Sequence, residues 1–211
     1  MNNIHVNNHP IVQDRLTRLR NKSTRPKNFR LYLNEIGRFL SMDATENLGL
    51  TPKTIETPLM EHKGALLNDT APLIIPILRA GLALSEPLSD VIPDADIAHI
   101  GLYRDPKTKK AVEYLNKLPS NLNRPIFVVD PMLATAHSMI KALDIITNQG
   151  ANQNNITIIT LVCAPEGLKK LRDHYPEILV YTSAIDNHLD DNAYIVPGVG
   201  DAGDRYFGTD H

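Results

Sequence analysis

An α/β fold, with a largely parallel sheet flanked by helices, is predicted by three features of the sequence. Short apolar runs rich in β-branched residues (PLIIPIL, PIFVV, ITIITLVC, EILVYTSAI) recur along the chain. Segments with helical spacing lie between them, so strands and helices alternate. The runs are apolar throughout, which marks strands buried on both faces, the condition of a parallel sheet covered by helices.

Taken in order, the elements begin after a polar start, MNNIHVNNHP. Val12, Leu16 and Leu19 fall at i, i+4 and i+7, predicting an amphipathic helix from near Pro10 to Ser23. Thr24 is placed to cap a second helix, with Pro26 in its first turn. Phe29, Leu33, Ile36 and Leu40 form its apolar face, and Gly49 closes the segment. Residues 9–50 thus read as an N-terminal helical arm whose apolar faces are interface material. Residues 53–67 predict two short strands, with Pro58 marking an edge position.

PLIIPIL (72–78) begins the core. A turn containing Gly81 leads into a helix over LALSEPLSDVI, and DIAHIGLY (96–103) is the next strand. RDPKTKKAVEY (104–114) predicts a β-hairpin flap with Asp105 and Pro106 entering its turn. PIFVV (125–129) follows, then a helix that starts at Ser138, buries Met139, Leu143 and Ile146, and stops at Gly150. ITIITLVC, the helical PEGLKKLRDHYP and EILVYTSAI complete the series. The chain reads as a single domain over 1–211: the arm, an α/β core over 72–185, and a C-terminal segment over 186–211.

Composition narrows the function classes. With 211 residues, 42% of them hydrophobic, the chain is long enough to bury one substantial core. A formal net charge of -2 gives no overall attraction to nucleic acid or anionic membrane. One stretch departs from this balance: Arg15, Arg18, Arg20, Lys22, Arg25, Lys27 and Arg30 face a single acid, Asp14. Solvated helix faces and ion pairs are the favoured reading of it, with a nucleotide or RNA contact as the alternative. A lone cysteine, Cys163, lies within an apolar run, which excludes an internal disulfide framework and fits core filling in a reducing compartment. No apolar stretch approaches the roughly 20 residues of a membrane span, and the start shows no secretory pattern. A cytoplasmic protein is expected, without membrane or nucleic-acid partners.

In an open α/β sheet, ligands gather beyond the carboxyl ends of the strands, and four such ends stand out. PILRAG puts Arg79 and Gly81 after a buried strand, which suits a phosphate or pyrophosphate, though pairing to a neighbouring carboxylate is the usual fate of an arginine and the motif by itself is weak. GLYRD puts Arg104 at the next end, beside Lys107, Lys109 and Lys110, at least two of which read as solvated. DPMLATAHS joins an acid at a strand tip, Asp130, to Thr135, Ser138 and a helix N-terminus, a setting for a terminal phosphate. Asp130 is placed for sugar hydroxyls or, equally, for capping its own loop. YIVPGVGDAGDRYFG carries glycines at 198, 200, 203 and 208, exposing backbone groups able to read a planar polar ring, or forming a structural wrap. Ser/His/Asp, HExxH and clustered Cys/His patterns are absent from the sequence, and DNHLDD (186–191) reads as a polar loop.

These strings, with APEG, HPIV and IETPL, occur in an order and spacing that resemble the uracil phosphoribosyltransferases from about His9 to Thr209. The resemblance implies a type I phosphoribosyltransferase-like core. It implies transfer of phosphoribosyl from 5-phosphoribosyl 1-diphosphate (PRPP) to uracil, giving UMP and diphosphate in pyrimidine salvage. Arg79, Arg104, Asp130 and Asp201 would be the catalytic set. PRPP would be held by Arg79, Arg104, Asp201 and the loop of Asp130, Pro131, Met132, Leu133, Ala134, Thr135, Ala136, His137 and Ser138. Uracil would be read by Ile195, Gly200, Asp201 and Ala202, mainly through backbone, within the segment 186–211. The cofactor implied is Mg²⁺, carried mainly by PRPP rather than by a protein cluster. A GTP effector and a homodimer or dimer of dimers are implied as partners.

One motif departs from the family. Its loop usually reads ATGGS, and here reads ATAHS. If either altered position requires φ > 0, a side chain there costs roughly 1 kcal/mol or more. The expectation is an active enzyme whose PRPP binding is weakened or pH-sensitive. The alternative is a weakened or inactive homologue serving as a nucleotide- or RNA-binding regulator.

Overall fold

A computed structural model describes residues 3–104 and 111–209. The tip of the expected flap, with Asp105, Pro106, Lys107, Lys109 and Lys110, lies outside the described residues. In chain order the elements are β1 (Ile4–Val6), α1 (Pro10–Arg20), α2 (Pro26–Ala44), β2 (Leu50–Glu56), β3 (Glu61–Leu67), β4 (Leu73–Leu78), α3 (Leu82–Val91), β5 (Asp96–Ile97), β6 (Ile100–Arg104) and β7 (Ala111–Asn116). There follow β8 (Ile126–Val129), β9 (Met132–Leu133), α4 (His137–Asn148), β10 (Ile156–Ile159), β11 (Val162–Cys163), α5 (Pro165–His174), β12 (Leu179–Thr182), β13 (Ala184–Ile185), β14 (His188–Leu189), β15 (Ile195–Val196) and α6 (Ala202–Phe207).

The main sheet runs β1-β12-β10-β8-β4-β6-β7, with β5 also on β4. Every pairing is parallel except that of β6 with β7, the two arms of the flap. Side chains alternate across it: Leu73, Ile75, Ile126, Val128 and Ile158 face α4 and α5, while Ile74, Phe127, Val129 and Ile159 face α1, α2, α3 and α6. The result is a three-layer α/β sandwich, as the uninterrupted apolar runs require. Among the described residues no helix is long and apolar enough to cross a membrane.

Several expectations are corrected. The polar start contributes β1, which extends the sheet beside β12. The N-terminal helices are not a free arm: Val12, Leu16, Leu19, Phe29, Leu33, Ile36 and Leu40 are buried within this chain's own core, so those faces are not interface material. Thr24 does not cap α2; its hydroxyl donates to the Arg18 carbonyl at 2.6 Å, bracing the turn, and the helix starts on Pro26. α2 ends at Ala44, before Gly49. Pro58 lies in the turn between β2 and β3, and Pro52 is the proline within a strand. This hairpin stands apart from the main sheet, with Leu59 94% exposed at its turn.

The strand expected over 96–103 is two strands. The Ala98 N–H donates to the Ile74 carbonyl at 3.0 Å, and the residue due to return a bond to Ala98 is Pro76, which has no N–H. ITIITLVC and EILVYTSAI are interrupted as well, giving β10 with β11 and β12 with β13, and the chain after β8 breaks at Asp130 and Pro131 before β9. The carbonyl of Pro131 there takes the N–H groups of both Leu161 and Val162. Beyond these breaks β9, β11 and β13 re-pair as a small parallel sheet that forms a raised floor at the carboxyl edge.

The basic run in α1 and α2 is largely committed. Arg15 pairs with Asp14 and Glu35, Arg18 with Asp14, and Arg20 with Asp186, while Arg30 donates to the Tyr206 carbonyl. Cys163 is fully buried, and burial pushes its thiol up to about 12, so it acts as core filling.

Candidate active site

The loop from Asp130 to Ser138 lies where β8 gives way to the floor and α4 begins. Its shape is set from behind by α5. A methyl group on Gly167 would collide with the Ala134 carbonyl and crowd that of Leu133, so only glycine lets the loop backbone settle onto the helix. Glu166 beside it accepts the Leu189 N–H at 3.0 Å, which ties α5 to β14. The last two letters of APEG therefore act as a tether and a seat.

Ala136 and His137 separate into two cases. Ala136 has φ 61° and ψ 2°, the left-handed region, and is the N-cap of α4. An alanine there carries a strain of about 1 kcal/mol that glycine avoids. The residue is 4% exposed and belongs to the core cluster that includes Leu133, Met139 and Ile140. His137 is the first residue of the helix, in ordinary helical geometry, and its exposed ring reaches α5, where Nε2 meets Lys170 Nζ at 2.5 Å. No side chain caps α4, so the positive end of a helix opens on the loop flanked by Thr135 and Ser138.

Asp130 is mostly enclosed, and one of its oxygens lies 3.5 Å from the Met132 N–H. Burial pushes its carboxyl up to about 7, and the charge of Asp201 adds to the rise. The charge of Asp201 thus reaches Asp130. Asp201 is the N-cap of α6, accepting the Asp204 N–H at 2.9 Å, as a free-standing capping residue would.

α6 also lies beside PILRAG: a methyl placed on Gly203 would stand 3.7 Å from the Ala80 side chain, and the Arg79 guanidinium lies 5.8 Å from the Phe207 ring. Among the described residues no carboxylate forms a salt bridge with Arg79. Gly81 has a helical φ; the space a side chain would need is filled by the Val129 carbonyl and the backbone of Ile77, so its close approach is to its own sheet. The backbone of Arg104 ends β6 opposite Ala111.

In the C-terminal segment, Ile195 and Ala202 are buried and belong to the core on the α1, α2, α3 side of the sheet. Gly198 and Gly200 have positive φ, and the Val196–Pro197 peptide is cis. What fixes this loop was invisible in the sequence. Arg20 of α1 donates Nη1 and Nη2 to the Asp186 carboxylate at 2.8 and 2.6 Å and Nη1 also to the Gly198 carbonyl at 2.7 Å. Asp186 in turn accepts the Gly198 N–H at 2.9 Å. Arg205 repeats the theme, donating to the Val199 and Asn21 carbonyls over the face of Phe29. The one available signal was that Asp186, like Asp130, follows directly on a strand run. Among the described residues no group of three or more His, Cys, Asp or Glu side chains is placed to hold a metal ion.

A parallel sheet that brings two carboxylates, an arginine and a loop at a helix N-terminus to its carboxyl edge has the organisation of an α/β enzyme whose ligands gather at the strand ends. Solved structures agree on the fold. A TM-score of 0.91 at 30% identity, covering 98% of both chains, relates it to the AQ2163 protein from Aquifex aeolicus. A hypoxanthine-guanine phosphoribosyltransferase from Bacillus anthracis shares the fold at TM-score 0.51 and 12% identity, over 75% of this chain and 79% of that one. The family model for uracil phosphoribosyltransferase matches residues 6–209. Proteins of that name from Dictyoglomus turgidum and Lactiplantibacillus plantarum are 48% and 47% identical, over 97% and 99% of this chain and 98% and 100% of theirs. The chain belongs to the uracil phosphoribosyltransferase family, and it is an enzyme of the pentosyltransferase class.

Proposed function

We propose that this enzyme joins uracil to PRPP at the site described, releasing diphosphate and forming UMP. The observation that carries the reading is the loop Asp130–Ser138, seated on Gly167 at the open end of α4 and facing Asp201. Thr135, Ser138 and the first-turn N–H groups hold the 5′-phosphate, and Asp130 takes the ribose hydroxyls. Arg79 and Arg104 hold the diphosphate, whose departure loads charge onto its oxygens. Backbone groups of Ile195, Gly200 and Ala202 fix the uracil edge, and Asp201 completes the wall between base and ribose.

The bond between C1′ and the diphosphate oxygen breaks with oxocarbenium character, the uracil N1 forms the new bond to C1′, and the N1 proton leaves. Alignment and charge stabilisation carry this step, without a covalent enzyme intermediate. Two carboxylates near a polyhydroxylated diphosphate suit Mg²⁺ borne chiefly by the substrate; the ion neutralises leaving-group charge when bound. The exposed apolar turn of the β2–β3 hairpin supports a homodimer or dimer of dimers. GTP is the candidate effector.

UMP formation from uracil, PRPP and Mg²⁺, with and without GTP, tests the proposal. Turnover that fails in Arg79→Ala and Thr135→Val is expected. A wild-type enzyme that forms no UMP refutes the assignment, and unchanged rates with GTP refute the effector.

A further inference from the structure

We infer that the amino edge of the sheet, opposite the candidate active site, carries a second binding site, for a small organic oxyanion held by Arg124. A cavity of about 260 Å³ lies there, between the foot of the β2–β3 hairpin (Gly49, Leu67, Asn68) and Pro72, Pro125 and Asn155. Those last three residues immediately precede β4, β8 and β10. The far ends of β4 and β8 lead to Arg79 and Asp130, so the two sites share strands but no lining residue. This second site is independent of the reaction proposed above.

Arg124 is the cation of the cavity, and no Asp or Glu lines it among the described residues. Its side chain is 9% exposed, and one nitrogen of its guanidinium is engaged: Nη1 donates to the Asp96 carboxylate and to the Ala71 carbonyl at 3.2 Å. Nε is the one buried side-chain nitrogen or oxygen, among the described residues, with no hydrogen-bond partner, and Nη2 has no partner among them either. Nε and Nη2 form the side-on edge of the guanidinium, two parallel N–H donors spaced to match two oxygens of a carboxylate or phosphate. A buried donor without an acceptor is costly, so an oxyanion on this edge satisfies what the fold leaves open. Asp96 does not cancel the charge, because its side chain is 61% exposed and a solvated partner neutralises little. It lines a neighbouring cavity with Lys117, not this one.

The rest of the lining defines the body of the ligand. The side-chain amides of Asn123 and Asn155 make no hydrogen bond among the described residues and can meet a polar edge, while Leu48, Leu67, Pro72 and Pro125 supply apolar walls. The volume falls just below the roughly 300–1,000 Å³ of drug-sized ligand pockets. The occupant is therefore a compact anion with a small ring or branched body.

Calorimetric titration of the full chain with benzoate, phenyl phosphate and the neutral shape mimic benzamide tests the site. Benzoate or phenyl phosphate is expected to bind with Kd about 1 mM, the scale for roughly ten heavy atoms of modest efficiency, and the tighter of the two identifies the oxyanion preferred. Benzamide should bind at least about tenfold more weakly. Arg124→Lys keeps a cation for Asp96 but loses the side-on edge, and should weaken the anion about tenfold. Asn155→Phe, which fills the cavity from its rim and leaves Arg124 and Asp96 paired, should abolish binding. Lys117→Met in the neighbouring cavity, Arg79→Ala and an excess of PRPP with Mg²⁺ should each leave it unchanged. The inference is overturned by any of four results: neither anion binding at about 10 mM, benzamide matching benzoate, binding that survives Asn155→Phe, or binding that Arg79→Ala or PRPP removes, which would put the anion in the candidate active site instead.

Discussion

Replacing Asp130 with asparagine should stabilise the fold while disabling the enzyme. The carboxyl is raised by burial, and by the Asp201 charge, from 3.8 to about 7. Between those values the folded protein keeps a proton that the unfolded chain has released, so stability falls as pH rises through that window. The full penalty, present above pH 7, is about 4 kcal/mol as an upper bound, and about 2–4 kcal/mol once partial solvent access is allowed for. Asparagine retains an oxygen for the Met132 N–H at 3.5 Å but carries no charge. Urea denaturation at a series of pH values should show the variant more stable by that amount at pH 8. The gain should shrink by at most about 1.4 kcal/mol per pH unit below 7 and be gone by about pH 4. Meanwhile kcat/KM for PRPP should fall about a hundredfold, the scale of lost hydrogen bonds to a charged group, and the acid limb of the wild-type profile near pH 7 should disappear. A stability difference independent of pH, or a variant less stable at pH 8, would refute the account of a buried, charge-opposed carboxylate.

Three further outcomes follow from the geometry. Gly167→Ala should push the loop off α5, costing about 1–3 kcal/mol in a urea melt and raising KM for PRPP but not for uracil. Arg20→Met should strand the Asp186 carboxylate, 7% exposed, with a loss of about 3–5 kcal/mol that Asp186→Asn partly restores in the double variant. Its KM for uracil should rise more than that for PRPP. Ala136→Gly should leave KM for PRPP within about twofold, since relief of strain and loss of a small buried methyl nearly offset each other; a large improvement would mean that the methyl intrudes on the phosphate after all.

Composition patterns made the architecture legible because burial on both faces writes itself into a strand as unbroken apolar sequence. ITIITLVC shows the limit: its apolar content continues through Thr160 and Leu161, where hydrogen bonding moves from one sheet to another. Proline was the readable clue at Pro76 and Pro131, since a missing N–H interrupts a ladder whatever the hydrophobicity. The same limit governs the site. Residues that follow a strand in the chain, such as Arg79 and Asp130, were found by position. Arg20 was not, because it reaches the C-terminal loop from a helix through contacts that no local spacing encodes. The question posed by ATAHS was visible, but its answer needed a dihedral angle at Ala136 and a neighbour at His137.

The clamp of Arg20 on Asp186 and Gly198 joins residues 166 and 178 positions apart, and Arg205 reaches 184 positions back to Asn21. Such separations raise contact order and slow folding. A chain emerging from the ribosome holds α1 ready long before Gly198 and Arg205 are made, so the C-terminal wall proposed for the base is the last part of the candidate site to form. Synthesis itself thus sets the order in which the partners of this clamp become available: α1 first, Asp186 and Gly198 more than 160 residues later.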